Sequence, residues 1–218
     1  MRPEVWAVWP SAQIDLCEEN TCRWNHAGYK VAVLVDPGEE YPMLPDLVLE
    51  GGEWKGYPIA MNQLCHTLPG KVVVCAGDDI HPPAELPLEE IYNQFLERFP
   101  DTFGVMQPTG DRFGSIDICC PSPWIGRAFI DEAYGGAGPF WSEYFHYFCD
   151  EELKEVADRQ DALWQRGDLS QYHDHWQREE DGRRPAHLME ALHKHKTHRK
   201  LYESRIRDGF PGHERQPK

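Results

Sequence analysis

Two adjacent carboxylates directly follow an apolar run in this sequence. The run from Lys71 to Ala76 predicts a buried strand, and the strand stops at Gly77, Asp78 and Asp79. Two like charges at a sheet edge are costly unless a cation or hydrogen-bond donors compensate them. Carboxylate oxygens suit Mg²⁺ or Mn²⁺, and such ions keep coordination positions for phosphate oxygens. The alternative interpretation is an exposed turn with two solvated acids, because acidic residues are common in turns.

A second candidate cluster lies late in the chain, at His173 and His175. If the segment from Leu169 to Trp176 is extended, the two histidines point to the same face and could present imidazoles to a metal ion. The chain has 11 histidines, so many of them must have other roles. The pair therefore supports a metal site only together with other ligands.

Alternating strands and helices position these residues. Apolar runs predict strands at Glu4–Trp9, Lys30–Val35 and Lys71–Ala76, and helical spacing predicts helices at Ser11–Ala27 and Pro58–Leu68. Strand, helix and strand within about 35 residues form the unit of a parallel sheet. We therefore predict an α/β fold with a mixed, mostly parallel central sheet flanked by helices.

Polar residues follow three of these strands, at Pro10-Ser11, Asp36 and Asp78-Asp79. Ligands of open α/β sheets bind outside the carboxyl ends of the strands. One pocket can therefore collect all of these residues.

The remaining pattern extends the prediction to the end of the chain. Further helices are predicted at Pro87–Phe99, Trp124–Tyr134, Pro139–Phe148, Glu151–Arg166 and Pro185–Asp208, and further strands at Leu47–Leu49, Thr102–Gln107, Ile116–Cys120 and Leu169–His173. We expect one domain over residues 1–182 and a basic, helical C-terminal extension over residues 183–218.

The composition indicates what kind of protein this chain forms. The 218 residues are 40% hydrophobic, which is enough for one domain with a core. The longest apolar stretches are strand-length, so we expect no membrane span, and the absence of a signal-like start leads us to expect a cytoplasmic protein. Seven cysteines, an odd number without a CxxC pair, indicate reduced thiols that serve as small core residues.

Charge is unevenly distributed along the chain. Residues 183–218 contain ten Lys/Arg against four Asp/Glu, a net charge of +6, which leaves −21 for the first 182 residues. The acidic body argues against a general nucleic-acid surface, because phosphate contacts need positive charge. The basic tail either packs on this body or offers a face to a polyanion.

Taken in order, several segments resemble GT-A glycosyltransferases, close to the family-two-like enzymes and their phage-encoded relatives. The segments are VWAVWPS, VAVLVDPG, a helix containing Asn62, VVVCAGDDI, GPFWSEYFHYFCDEEL and YHDHW. The similarity covers roughly residues 4 to 180. Its most specific element is the strand ending in GDDI, which looks like the DxD-type signature.

The resemblance implies a nucleoside-diphosphate sugar, with a UDP-sugar as the expected donor. Pro10 and Ser11 would line the base and the diphosphate, and Asp36 would hydrogen-bond the base or the ribose. Asn62 would also belong to the cofactor-binding residues. Asp78 would contact the ribose or the sugar.

The resemblance also implies a metal site and a catalytic base. Asp79 would ligate Mn²⁺ or Mg²⁺ between the two donor phosphates, and His175, or else His173, would complete the metal or diphosphate site. Asp150 matches the acid that serves as catalytic base in inverting members. The same acid could instead only favour the start of a helix, where acidic residues are ordinary.

The chain departs from the family pattern in two places. The usual Glu-Asp pair is Cys149-Asp150 here, which leaves the choice of Asp150 against Glu151 or Glu152 open. The QxxRW motif of processive synthases is absent, which favours transfer of a single sugar.

Other interpretations remain open from the sequence. A glycoside hydrolase also uses acids, but it needs two facing carboxylates about 5 to 9.5 Å apart. A nucleotide- or metal-binding module without turnover would share the Asp78-Asp79 site. The acceptor is not readable; because phage-type relatives include enzymes that glycosylate modified DNA bases, hydroxymethylated DNA approached through the basic tail is one hypothesis.

Overall fold

The computed structural model describes residues 4–38, 45–114, 116–178, 182, 185–186 and 188–215. Its strands are β1 Val5–Pro10, β2 Lys30–Val35, β3 Leu47–Glu50, β4 Val72–Cys75, β5 Val105–Pro108, β6 Trp124–Gly126 and β7 Leu163–Arg166. They form one sheet in the order β3-β2-β1-β4-β6-β5-β7. Only β6 runs antiparallel to its neighbours, β4 and β5. The predicted mixed, mostly parallel α/β sheet is confirmed.

Helices cover both faces of this sheet. They are α1 Ile14–His26, α2 Tyr57–Thr67, α3 Leu88–Arg98, α4 Arg127–Glu132, α5 Cys149–Arg159 and α6 Leu188–Arg207. Alternate strand residues point to opposite faces and enter two separate apolar clusters. Trp24 of α1 and Phe95 of α3 belong to one cluster, whereas Met61 of α2 and Val156 of α5 belong to the other.

The strand predicted at Ile116–Cys120 is wrong, because its described residues form turns. The backbone N–H of Cys120 donates to the carbonyl of Asp150 at 3.1 Å, so this segment pairs with the start of α5. The neighbouring strand is instead β6, which had been predicted as the first turn of a helix. Its three residues are too few to show the alternation that identifies a strand.

Two predicted helices also differ from the structure: one is absent, and the other is too long at its C-terminal end. Pro139–Phe148 contains no helix; it forms turns, and the backbone of Phe140 is hydrogen-bonded by Asn62. The helix predicted over Glu151–Arg166 ends at Arg159, and its last four residues form strand β7 beside β5. The predicted strand at Leu169–His173 is reduced to a single bridge between Ile80 and His173.

The predicted C-terminal helix is present as α6, and it packs against the body. Tyr202 stacks on Phe148 with ring centroids 5.4 Å apart, and Phe210, just beyond the helix, is fully buried. The ends of the predicted extension, Arg183 and Lys218, lie outside the described residues. In the described ranges, no helix has the length and apolar character needed to cross a membrane.

Candidate active site

The carboxyl ends of β1, β2 and β4 meet at one edge of the sheet. β1 ends at Pro10, and the N–H of Ser11 donates to the carbonyl of Leu34 in β2 at 2.9 Å. Asp36, exposed to solvent, follows β2 directly. The turn of residues 77–80 follows β4, which pairs with β1 on its other side. The sequence therefore folds so that these polar residues share one edge.

Asp78 ties the segment after β1 to the turn after β4. Its Oδ1 accepts a hydrogen bond from Trp9 Nε1 at 2.8 Å, and its Oδ2 accepts from the N–H groups of Ala12 at 3.1 Å and Gln13 at 3.3 Å. Burial raises the pKa of Asp78, and hydrogen bonds from Ser11 and these backbone amides offset that rise only in part. Asp78 thus has a bracing role that its position in the sequence does not show.

Asp79 pairs with the first late histidine. Its Oδ2 lies 3.2 Å from His173 Nε2, and both side chains are partly exposed. The bridge between Ile80 and His173, together with the hydrogen bond from Asp174 N to Asp79 O at 2.7 Å, fixes the two segments side by side. Burial alone would raise the pKa of Asp79, but the hydrogen bond and charge of His173 outweigh burial and lower it.

The second late histidine lies beside the first. The ring centroids of His173 and His175 are 4.8 Å apart, and Phe113 contacts both rings. Burial lowers the pKa of His175, and the charge of His173 lowers it further. Asp79 hydrogen-bonds His173, so His173 is the nearer candidate ligand, and His175 stays within electrostatic range of the same carboxylate.

A partly buried ion pair that the sequence did not predict supports the backbone of His173. Asp111 Oδ2 accepts from the N–H of His173 at 3.2 Å and forms an ion pair with Arg178. Arg178 Nε donates to the carbonyl of His173 at 2.6 Å, and the guanidinium lies between the rings of Phe113 and Tyr172. Asp111 and Arg178 are 67 residues apart in the chain, so no local pattern could have paired them.

The acids Asp150 and Glu151 occupy the first turn of α5. Asp150 is half-buried, and its carbonyl accepts the N–H of Cys120. Burial and the charge of Asp150 raise the pKa of Glu151 to about 9. One oxygen of Glu151 is buried without a hydrogen-bond partner among the described residues. The first turn of α5 therefore places Asp150 beside a second acid whose protonated form is favoured by burial and by the neighbouring charge.

The third acid of this turn, Glu152, has a structural role. It is fully buried, and Arg205 of α6 donates to both of its oxygens, at 2.6 Å from the terminal nitrogen and 2.7 Å from Nε. The hydroxyls of Tyr134 and Tyr144 donate to it at 2.7 and 2.8 Å. The sequence left three acids as candidates for the catalytic base. Of these, Glu152 binds Arg205 and so holds α6 on the body.

The described hydrogen bonds of Asn62 are to the turns after α4. Its amide nitrogen donates to the carbonyls of Ala137 at 2.9 Å and Phe140 at 2.8 Å, and its oxygen accepts from the N–H of Phe140 at 2.9 Å. Both amide N–H groups are therefore used within the protein. Asn62 therefore holds the turns after α4, and its role in donor binding stays a prediction.

Several solved structures share this arrangement of strands and helices. The mannosyltransferase PcManGT from Pyrobaculum calidifontis, in complex with GDP-Man and Mn²⁺, aligns with a TM-score of 0.53 and 16% identity, over 88% of this chain and 69% of that chain. S. aureus TarS 1–349 in complex with UDP aligns with a TM-score of 0.55 and 10% identity, over 78% of this chain and 59% of that chain. The chain has the GT-A fold.

A third structure agrees with this result. Glucosyl-3-phosphoglycerate synthase from Mycobacterium tuberculosis, in complex with Mn²⁺, uridine diphosphate and phosphoglyceric acid, aligns with a TM-score of 0.52 and 13% identity, over 87% of this chain and 74% of that chain. No protein-family model matches the sequence, and no curated protein matches it. At these identities the likeness is one of fold.

The residues at this edge of the GT-A fold suit a partly open metal site. Within the part of the chain that the structure describes, no group of three or more His, Cys, Asp or Glu side chains could hold a metal ion by itself. Asp79 and His173 supply a smaller set, one carboxylate and one imidazole. Mg²⁺ is commonly bound by one or two carboxylates together with substrate phosphates. One carboxylate and one imidazole therefore fit a divalent ion whose other ligands would come from outside the protein.

Proposed function

We propose that this protein is a glycosyltransferase that moves a single sugar from a nucleoside-diphosphate sugar to an acceptor hydroxyl. The observation that carries the proposal is the Asp79–His173 pair, 3.2 Å apart at the carboxyl edge of a GT-A sheet. The solved neighbours were crystallised with Mn²⁺, GDP-Man or UDP, which supports a donor of this class.

On the donor side, Asp79 and His173 would hold Mn²⁺ or Mg²⁺, with His175 as the alternative imidazole. The bound ion would supply charge stabilisation for the departing diphosphate without a proton. Ser11 and Asp36 lie at the same sheet edge and would line the nucleotide. We propose a UDP-sugar as the first donor to test.

Pro10 and Asp78 complete the nucleotide side of this proposal. Pro10 is the last residue of β1, directly before Ser11. The carboxylate of Asp78 accepts hydrogen bonds from the segment that follows Pro10, so Asp78 would shape the surface on which ribose or sugar rests.

On the acceptor side, Asp150 would act as the general base. The acceptor oxygen forms a bond to the anomeric carbon while the bond from that carbon to the diphosphate oxygen breaks, and the hydroxyl proton passes to Asp150. Attack from the face opposite the leaving group inverts the anomeric configuration. The neighbouring Glu151, neutral at pH 7 because its pKa is about 9, adds no second negative charge beside the base.

For the acceptor, we propose a polyanion, with hydroxymethylated DNA as the form to test. α6 contacts the segment directly before Asp150: Lys194 lies over the ring of Phe145, and His195 contacts Tyr147 and Phe148. The exposed face of α6 carries His193, Lys196, Arg199, Lys200 and Arg207. Positive charge beside the base would attract an anionic acceptor to the site, even though the body is acidic.

The acceptor proposal predicts a salt-dependent interaction through α6. Changing Lys196, Arg199 and Lys200 together to Gln should weaken binding of hydroxymethylated DNA and lower the salt slope by about 2 to 3, since each lost phosphate contact lowers it by about 0.9. Donor affinity should not change. As a control, Lys71→Gln with Arg98→Gln removes exposed cations far along the chain from α6 and should leave the slope unaltered. Efficient transfer to a neutral glycan with no DNA binding at low salt would refute this acceptor.

A donor screen tests the enzyme proposal itself. We expect one nucleotide sugar to raise the melting temperature in Mn²⁺ and to be hydrolysed slowly, with both effects lost in excess EDTA. Stabilisation without any turnover would indicate a binding module. Glycoside hydrolysis that persists in EDTA would indicate a hydrolase.

A further inference from the structure

Two buried side chains of α1 hold the turn that carries the paired carboxylates. Asn20 Nδ2 donates to the carbonyl of Gly77 at 2.7 Å and to the carbonyl of Ile80 at 2.9 Å. Trp24 Nε1 donates to the same Ile80 carbonyl at 2.8 Å. Both side chains are fully buried, so water competes little for these donors.

The turn has little backbone bonding of its own. Ile80 N donates to the carbonyl of Gly77 at 3.3 Å, which is long for such a bond. Asn20 therefore joins the first and last carbonyls of the turn, and Asp79 lies between them. Without the amide, the carbonyl of Gly77 would keep only the long bond, whereas that of Ile80 would keep Trp24.

The amide of Asn20 is retained at an energetic cost. Its Oδ1 is buried and has no hydrogen-bond partner among the described residues. A buried polar atom without a partner destabilises the folded state. The two N–H donors are therefore the part of the side chain that the fold uses.

We propose that Asn20 is a positioning residue for the metal carboxylate, an inference that rests on the proposed function. By fixing the Gly77–Ile80 turn, it directs Asp79 toward His173. Trp24 supports the same turn at one end only and has a smaller effect. Substitution of groups that orient metal ligands typically costs about 10- to 100-fold in metal affinity.

The test measures UDP binding by calorimetry at a series of Mn²⁺ concentrations and in EDTA. This measurement requires no turnover. Asn20→Leu keeps the branching of the side chain at Cγ and removes both donors, so the Mn²⁺ concentration for half-maximal UDP binding should rise about tenfold or more. Any residual UDP binding in EDTA should be equal in the variant and the wild type. Thr21→Val is the matched control: it removes a buried hydroxyl from the neighbouring position of α1, and its Mn²⁺ midpoint should equal that of the wild type.

Trp24→Phe provides a second variant if Asn20→Leu does not fold. It removes one of the two donors to Ile80 and should raise the Mn²⁺ midpoint by about two- to fivefold, below the range for full loss of an orienting group. A folded Asn20→Leu protein with a wild-type midpoint would overturn the inference, as would an unchanged Trp24→Phe midpoint when Asn20→Leu is unfolded. A wild-type protein that binds neither UDP nor GDP in Mn²⁺ would instead overturn the proposed function, and the positioning role with it.

Discussion

Replacing Glu151 by Gln should remove a pH dependence from the stability of this protein. Burial and the charge of Asp150 raise the pKa of Glu151 from 4.5 to about 9. Between these pH values the folded state holds a proton that the unfolded state has released, so the unfolding free energy falls as pH rises. The contribution of Glu151 is fully present below pH 4.5 and is lost as pH rises through about 9.

The size of this effect follows from the difference of one proton. Such a difference changes the unfolding free energy by about 1.4 kcal/mol per pH unit. Relative to Glu151→Gln, the wild type should therefore lose about 2 to 3 kcal/mol between pH 5.5 and 7.5. The Gln side chain cannot ionise, and it keeps nearly the same volume.

Urea unfolding of both proteins at pH 5.5, 6.5 and 7.5 measures this loss. The difference between the two curves cancels the titration of the groups that do not interact with Glu151. Glu155→Gln changes the same chemical group on the same helix at a more exposed position, beside Lys154, and should run parallel to the wild type. Parallel curves for the wild type and Glu151→Gln would refute the assignment of a protonated carboxyl beside Asp150.

Two further substitutions test the acids of α5. Asp150→Asn should preserve donor binding and lower kcat by about 10² to 10⁴-fold, the usual effect of a lost general base; an active Asp150→Asn beside an inactive Glu151→Gln, or a product with retained anomeric configuration, would contradict the role. Arg205→Leu leaves Glu152 buried without its cation and should lower the unfolding free energy by about 3 to 5 kcal/mol. Urea unfolding at pH 7 would measure it, and a loss below about 1 kcal/mol would show that the pair does not anchor α6.

The sheet edge that holds Ser11, Asp36 and Asp79 could be predicted because the local sequence identifies each of its strands. The apolar runs at β1, β2 and β4 stop abruptly at polar residues, and each is long enough to be recognised. Parallel strands then place their ends together, so Ser11, Asp36 and Asp79 reach one edge without any knowledge of long-range contacts. The resemblance named His175 before His173 as the late histidine, whereas the hydrogen bond of Asp79 is to His173.

The parts that sequence reasoning missed depend on contacts between distant residues. β6 has three residues and is a strand only because it fills the gap between β4 and β5. The turns after α4 have helix-like spacing, but Asn62 holds Phe140 in place from another helix. In the sequence, Glu152 is an ordinary acid in the first turn of a helix. Its structural role depends on Arg205, which is 53 residues away in the chain.

The central claim is that Asp79 holds the divalent ion on which sugar transfer depends. The most direct measurement is the release of UDP from the donor that the screen identifies, by wild type and Asp79→Asn, in Mn²⁺ and in excess EDTA. We predict turnover only for the wild type in Mn²⁺, with at most a small change in the melting temperature of the apo variant because a side chain at the sheet edge contributes little to the core. Full turnover by folded Asp79→Asn, or by the wild type in EDTA, would contradict the account.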